Sequence, residues 1–205
     1  MDSAALNTEP FSEEDASMII STRIRTGRNL ADVPLGPGIT NEQRLDIEKR
    51  VSTALTTLTD DLAGQYYPLN NMTEDTRKKL VEDHFLFKEG DRYLEAVGLN
   101  RDWPNGRGIF HNHNKTFLVW INEEDQLRII SMQQGADIKQ VFDRLCRAID
   151  HIEKTMQFSK DDKLGYITSC PTNLGTALRA SVHIRLPKLG QQKEEFQKIA
   201  DKYYV

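Results

Sequence analysis

Between Gly108 and Met132 the chain runs through Ile109-Phe110, Thr116 to Ile121 and Leu127 to Met132. These are three apolar, β-prone stretches parted only by short polar turns of Asn, Lys, Glu and Asp. A parallel pair of strands needs a crossover of a dozen or more residues, and these turns leave no room for one. The three stretches are therefore read as consecutive antiparallel strands. Asp137 with Gln140 opens a helix behind them, with the stripe Ile138, Val141, Leu145, Ile149, Ile152 and Met156 on one face. That helix is expected to lie across the sheet. The fold class that follows is α+β, an antiparallel, meandering β-sheet flanked by helices.

The rest of the chain adds to the same plan. Thr40 with Gln43 forms a capping-box start, and Ile47, Val51, Leu55, Leu58 and Leu62 continue a helical stripe until Gly64 stops it. A shorter helix is expected from Thr73 through Leu80 and Val81. Met18 to Arg25 reads as a strand in which Thr22 and Ile24 alternate with Arg23 and Arg25, so both arginines leave the same face. Further strands are expected at Leu164 to Thr168 and Ser181 to Leu186, and an amphipathic stretch from Gln191. Residues 1–17 are small, polar and acidic without a hydrophobic period and read as a tail or linker ahead of the domain at 18–205.

Charge and cysteine content remove several classes of function. With 27 Lys+Arg against 31 Asp+Glu the net charge is −4, against the basic footprint that non-specific nucleic-acid binding needs. No run approaches the roughly 20 apolar residues of a membrane helix, and residues 1–18 lack the pattern of a secretory signal. The two cysteines, Cys146 and Cys170, cannot make a disulfide framework and suit a reducing compartment, so a cytoplasmic protein is expected, with neither nucleic acid nor membrane as partner.

The chemistry-bearing residues are arginines in unusual places. No phosphate-cradling glycine loop is present: G-x-x-x-x-G-K-[ST] is absent, and Gly106-Arg107-Gly108 never completes G-x-G-x-x-G. Guanidinium forks are the other means of holding a triphosphate, since their planar donors match phosphate oxygens two at a time. Arg23 and Arg25 stand at i, i+2 on a strand, Arg128 interrupts an apolar strand, and Arg179 precedes the strand carrying His183. The ordinary reading of each is a local ion pair; four on one sheet point instead to an anion site. Glu123-Glu124-Asp125 occupies the turn ahead of Arg128, where one acid turned inward could meet a cationic substrate. Cys170 opens a Pro- and Gly-containing loop, whereas Cys146 fits a buried apolar place. His111 and His113 flank Asn112 without a convincing third metal ligand.

Together, Ser21-Thr22-Arg23-Ile24-Arg25, Asp83-His84-Phe85-Leu86-Phe87, Asn122-Glu123-Glu124-Asp125 with Leu127-Arg128, Cys170 to Thr176, and Arg179-Ala180-Ser181-Val182-His183 resemble, in order, the catalytic domain of the phosphagen kinases. Lys88-Glu89-Gly90-Asp91-Arg92 and Thr172 look more like arginine kinases than creatine kinases. The resemblance implies reversible transfer of the γ-phosphoryl of MgATP to a guanidino nitrogen, that of L-arginine first, with Mg²⁺ bound to ATP or ADP. It implies that Arg23, Arg25, Arg128 and Arg179 contact the nucleotide phosphates. It further implies that Ser21, Thr22, Ile24, Ala180, Ser181 and Val182 belong to the nucleotide surface, with His84 and His183 near adenine and ribose. Glu124 resembles the carboxylate that orients the substrate guanidinium and accepts its proton, and Cys170 the thiol that contacts the same group. Two positions depart from the family pattern: His113 stands where Asp is usual, and Gln126 where His is frequent. Both are expected beside the acidic turn. Family enzymes carry a helical domain ahead of this region and a mobile loop with a second carboxylate beyond it, so the resemblance implies an incomplete catalytic domain of low activity in isolation. A nucleotide-binding module without catalysis, or a kinase for another acceptor such as creatine, remains the alternative.

Overall fold

The computed structural model describes residues 9–87 and 92–203. Its strands are β1 (Ile19–Arg28), β2 (Gly64–Pro68), β3 (Gly108–Asn112), β4 (Phe117–Ile121), β5 (Leu127–Gln134), β6 (Lys160–Asp161), β7 (Gly165–Tyr166) and β8 (Leu178–Ile184). Its helices are α1 (Glu13–Met18), α2 (Asn41–Thr56), α3 (Glu74–Glu82), α4 (Arg92–Ala96), α5 (Ile138–Glu153) and α6 (Lys193–Tyr203). Six strands form one antiparallel sheet in the order β2-β3-β4-β5-β1-β8. The meander therefore covers only β2 to β5. The first strand of the chain inserts next to β5, and β8 forms the outer edge.

Two cores cover the sheet. On one face Ile24, Phe110, Val119 and Ile129 pack with Ile47, Val51 and Leu55 of α2 and Val141, Leu145 and Ile149 of α5. On the other, Ile109, Leu118, Trp120 and Ile130 pack with Leu69, Leu80, Leu86 and Phe87. The Trp120 Nε1 donates to the Phe85 carbonyl at 2.7 Å, which satisfies the indole where it is buried. This second core covers β3 to β5 and leaves the same face of β1 and β8 open.

The expected capping box is formed: Thr40 Oγ1 accepts from Gln43 N at 3.2 Å, and Gln43 Oε1 accepts from Thr40 N at 2.9 Å. Thr40→Ala removes one of these bonds and should lower stability by about 1 kcal/mol, read as a shift in the urea midpoint at unchanged slope. The helix ends at Thr56, before Leu58 and Leu62. The hydroxyls of Thr53, Thr56 and Thr57 accept the role of backbone partners there, donating to the carbonyls of Lys49, Thr53 and Ala54. Leu58 and Leu62 still enter the core, from a turn and a short 3₁₀ segment.

Four other expectations change. Residues 13–18 of the acidic segment form α1, where Ser12 caps by accepting from Asp15 N at 3.1 Å; residues 1–8 lie outside the described residues. The strand β2 follows no alternation in sequence, and its signal is the aromatic pair Tyr66-Tyr67. Only Gly165 and Tyr166 of the expected strand at 164–168 pair, in a small hairpin with β6 apart from the main sheet. Arg179 lies within β8 and does not precede it.

Candidate active site

Strand register settles which side chains share the open face. Arg25 lies directly opposite Arg179, Arg23 opposite Ser181 and Ser21 opposite His183, all between β1 and β8. On the other side of β1, Gly27 faces Arg128. Since side chains alternate in a strand, Ser21, Arg23, Arg25, Arg128, Arg179, Ser181 and His183 all project to one face. Thr22 and Ile24 project to the opposite face and are buried there; their partners Val182 and Ala180 share that face at the sheet's edge, the first half-buried and the second exposed. These four support the surface through the backbone.

Arg25, Arg128 and Arg179 line a cleft of about 140 Å³ with Thr172, Asn173, Leu174 and Thr176 from the loop ahead of β8. Like charges directly opposite each other destabilise a strand pair, so the Arg25–Arg179 pairing is unfavourable by itself. Burial, then Arg128, lowers the pKa of Arg23. Burial likewise lowers that of Arg25, followed by Arg128, Arg179 and Arg23 in turn. Both shifts reflect burial first and neighbouring positive charge second. Among the described residues Arg23, Arg25 and Arg179 have no ion-pair partner, and the Arg23 Nε is buried without a hydrogen bond. The face is arranged for an anion with several oxygens.

Arg128 is the exception, being held by two carboxylates. Its Nη2 lies 3.0 Å from Glu123 Oε2 and 2.8 Å from Glu124 Oε2, and its guanidinium stands 5.6 Å from the Trp120 ring centre. Glu124 Oε2 also accepts from Asn173 Nδ2 at 3.4 Å, which joins the acidic turn to the loop. Burial pushes the Glu123 carboxyl above its usual range, with Arg128 the main opposing influence. Asp125 is the acid turned inward: its Oδ1 accepts from Asn29 Nδ2 at 2.8 Å and from Ser169 N at 2.7 Å. All three acids of the turn are engaged, Asp125 with Asn29 and Ser169 and the two glutamates with Arg128.

Gly27 is the condition for that approach. A Cβ at this position would lie 2.5 Å from Asp125 Oδ2, while the other oxygen is pinned by Asn29 and Ser169. Gly27→Ala should therefore destabilise the protein by about 2 kcal/mol. A thermal melt unchanged from that of the native protein would show that the carboxylate rotates freely.

Cys170 does not end a strand. It precedes the 3₁₀ turn Pro171–Asn173, half-buried, with its Sγ 3.0 Å from Thr172 Oγ1, and it stands outside the lining of the arginine cleft. Cys146 is buried in α5 as expected. His183 Nδ1 is 3.2 Å from Ser21 Oγ on the arginine face. His84 is exposed at φ 61° after α3 and stands outside the lining of the arginine cleft. His111 stacks on Tyr67 at 5.0 Å, and His113 occupies the β3–β4 turn. That turn lies at the far end of β4 from the acidic turn, so His113 is not beside it. Gln126 is: its Oε1 accepts from Leu30 N at 2.9 Å and its Nε2 donates to the Pro34 carbonyl at 2.9 Å, a buried strut behind the acids. The strongest positions missed in the sequence are Asn173 and Asn29, whose amides act only through partners distant in the chain.

Residues 46–205 match the family model described as ATP:guanido phosphotransferase, C-terminal catalytic domain. The chain belongs to this family. It is 58% identical over 196 residues to an arginine kinase of Anthopleura japonica, covering 96% of this chain and 27% of that protein. An arginine kinase of Scylla serrata is 54% identical, covering 97% of this chain and 54% of that protein. The chain thus spans about half or less of the length of these curated relatives. Among solved structures, the duplicated taurocyamine kinase of Schistosoma mansoni with bound transition-state analogue components matches at TM-score 0.90 and 48% identity, over 99% of this chain and 28% of that one. A lombricine kinase matches at TM-score 0.84 and 43% identity, over 93% of this chain and 53% of that one. As an ATP:guanido phosphotransferase chain, it carries the β1 arginines ahead of the 46–205 match, within the stretch that the relatives cover. Of Lys88-Glu89-Gly90-Asp91-Arg92, all but Arg92 lie outside the described residues. Among the described residues no helix is long and apolar enough to cross a membrane.

Proposed function

We propose that residues 18–205 form the nucleotide-binding and catalytic unit of a guanidino kinase that transfers the γ-phosphoryl group of MgATP to L-arginine. The observation that carries this reading is the cleft where Arg25, Arg128 and Arg179 converge, with Glu124 held at its margin by Arg128 and Asn173. Phosphoryl transfer asks little covalent work of a protein: charge on the phosphoryl oxygens must be neutralised and two substrates aligned. The arginines perform the first task. Magnesium enters as part of the nucleotide substrate, held by phosphate oxygens and water.

Glu124 performs the second. A guanidinium is protonated at neutral pH and its lone pairs are delocalised, so it attacks only when positioned and relieved of a proton. In the forward direction the bond between the γ-phosphorus and the bridging oxygen of ADP breaks and a phosphorus–nitrogen bond forms. The proton leaves the attacking nitrogen for the carboxylate. Cys170, on the loop fastened to Glu124 through Asn173, contacts the same guanidino group. Ser21, His84 and His183 border the nucleoside.

L-Arginine is favoured as acceptor because the two curated relatives described above are arginine kinases at 54–58% identity. Activity in the cytoplasm, with ATP or ADP and a small guanidino compound as partners, belongs to the same reading. The test is a coupled assay of ADP release from MgATP with L-arginine, taurocyamine, lombricine and creatine in turn. Turnover with arginine at the highest kcat/KM is expected. Binding of MgADP without turnover on any acceptor would leave a nucleotide-binding module.

A further inference from the structure

Arg28 is the third arginine of β1 and the one the anion face does not use. It falls on the parity of Thr22, Ile24 and Thr26, so it projects into the core, where it is fully buried. A buried cation is costly unless paired, yet among the described residues no carboxylate lies within ion-pair distance of Arg28, and Glu153 and Asp125 favour its charge only from farther away. Instead its guanidinium lies 3.5 Å from the centre of the Tyr166 ring. Its Nη1 donates to Thr26 Oγ1 at 2.6 Å, to the Gly27 carbonyl at 2.7 Å and to the Thr176 carbonyl at 3.2 Å. Its Nε and Nη2 find no hydrogen-bond partner among the described residues.

The contacts run to one destination. Thr26 Oγ1 also donates to the Thr176 carbonyl, at 3.2 Å, and Gly27 N donates to the Ala177 carbonyl at 3.3 Å. Tyr166, on which Arg28 stacks, pairs with Gly175. The fastened segment carries strain of its own, because Ala177 at φ 51° occupies left-handed backbone, a conformation that costs a non-glycine residue. It is the root of the loop that carries Cys170, Thr172 and Asn173 and delivers Arg179 into β8.

We infer that Arg28 is a positioning residue: its buried guanidinium, wedged between Tyr166 and the Thr176 carbonyl, fixes the 170–177 loop against the arginine strand. The kinetic consequence rests on the proposed guanidino kinase reading; the structural one does not. Lysine can supply the charge but neither the flat stacking face nor the fork, so it restores only part of the function.

The experiment is alkylation of the folded protein by iodoacetamide, followed by peptide-resolved mass spectrometry at Cys170, with buried Cys146 as internal control. Arg28→Met should raise the Cys170 rate about tenfold, the effect of losing roughly one net hydrogen bond from the closed loop, and Arg28→Lys should fall between. Ile149→Val, a core change distant from the loop, should leave the rate unchanged at a comparable loss of thermal stability. Native-like Cys170 reactivity in both Arg28 variants, or an equal rise in Ile149→Val, would overturn the inference. Should Arg28→Met not fold, Arg28→Lys alone decides it on the same rate. In the kinase assay the variants should raise the acceptor KM and lower kcat. If no acceptor is turned over, the proposed function fails while the alkylation result still stands on its own.

Discussion

Glu124→Gln should reduce turnover with MgATP and L-arginine by about a thousandfold while moving MgADP affinity by no more than about twofold. The side chain keeps its size and loses its charge and its capacity to take a proton. Both losses fall on the acceptor, since an amide neither pairs with a guanidinium nor deprotonates it. The nucleotide side is insulated by the second carboxylate: Glu123 remains 3.0 Å from Arg128, so the guanidinium keeps its place above the cleft. Steady-state kinetics with calorimetry on the same preparations separates the two effects. A turnover loss accompanied by an equal loss of MgADP binding would mean that Glu124 acts by holding Arg128 and not by handling the acceptor.

How much of this could be read from residues alone depends on the distance over which each signal acts. Alternation in Thr22-Arg23-Ile24-Arg25 and the interruption of an apolar strand by Arg128 are local patterns; the first places Arg23 and Arg25 on one face correctly, and the second singles out Arg128 without giving its face. The convergence of that face depends on β1 lying between β5 and β8, a neighbour relation between segments more than 90 residues apart. Local periodicity is silent on that. The same limit hid Asn29, Asn173 and the fact that Asp125 is the acid turned inward, since their partners are remote in sequence. Arg28 is a different case. Its odd spacing from Arg23 and its even spacing from Thr26 were legible, but a buried arginine balanced by an aromatic ring and carbonyl oxygens has no sequence signature. The end of α2 at Thr56 shows hydroxyl back-bonding overriding a hydrophobic stripe that continued through Leu58 and Leu62.

The largest effect on nucleotide binding should come from Arg128→Ala, with MgADP affinity falling by at least about a hundredfold. Two losses compound. One guanidinium fork leaves the phosphate site, worth roughly a charge-assisted hydrogen bond or two. In addition Glu123 and Glu124, which now neutralise Arg128, become two partly buried negative charges facing an anionic ligand. Arg179→Ala removes only the first contribution, because that arginine lies on the edge strand without a carboxylate partner among the described residues, and should weaken binding by about tenfold. The sign of the pH dependence distinguishes the two mechanisms. Arg128 is the main influence keeping the buried Glu123 carboxyl from rising further, so its removal pushes that carboxyl up and protonation becomes easier. In Arg128→Ala, therefore, MgADP affinity should recover as pH falls toward the raised value, since a protonated carboxyl no longer repels phosphate. Arg179→Ala should show no such recovery relative to the native protein. Calorimetric titrations at several pH values would show it, and parallel pH profiles for both variants would mean that Arg128 contributes to the cleft only as one more positive charge.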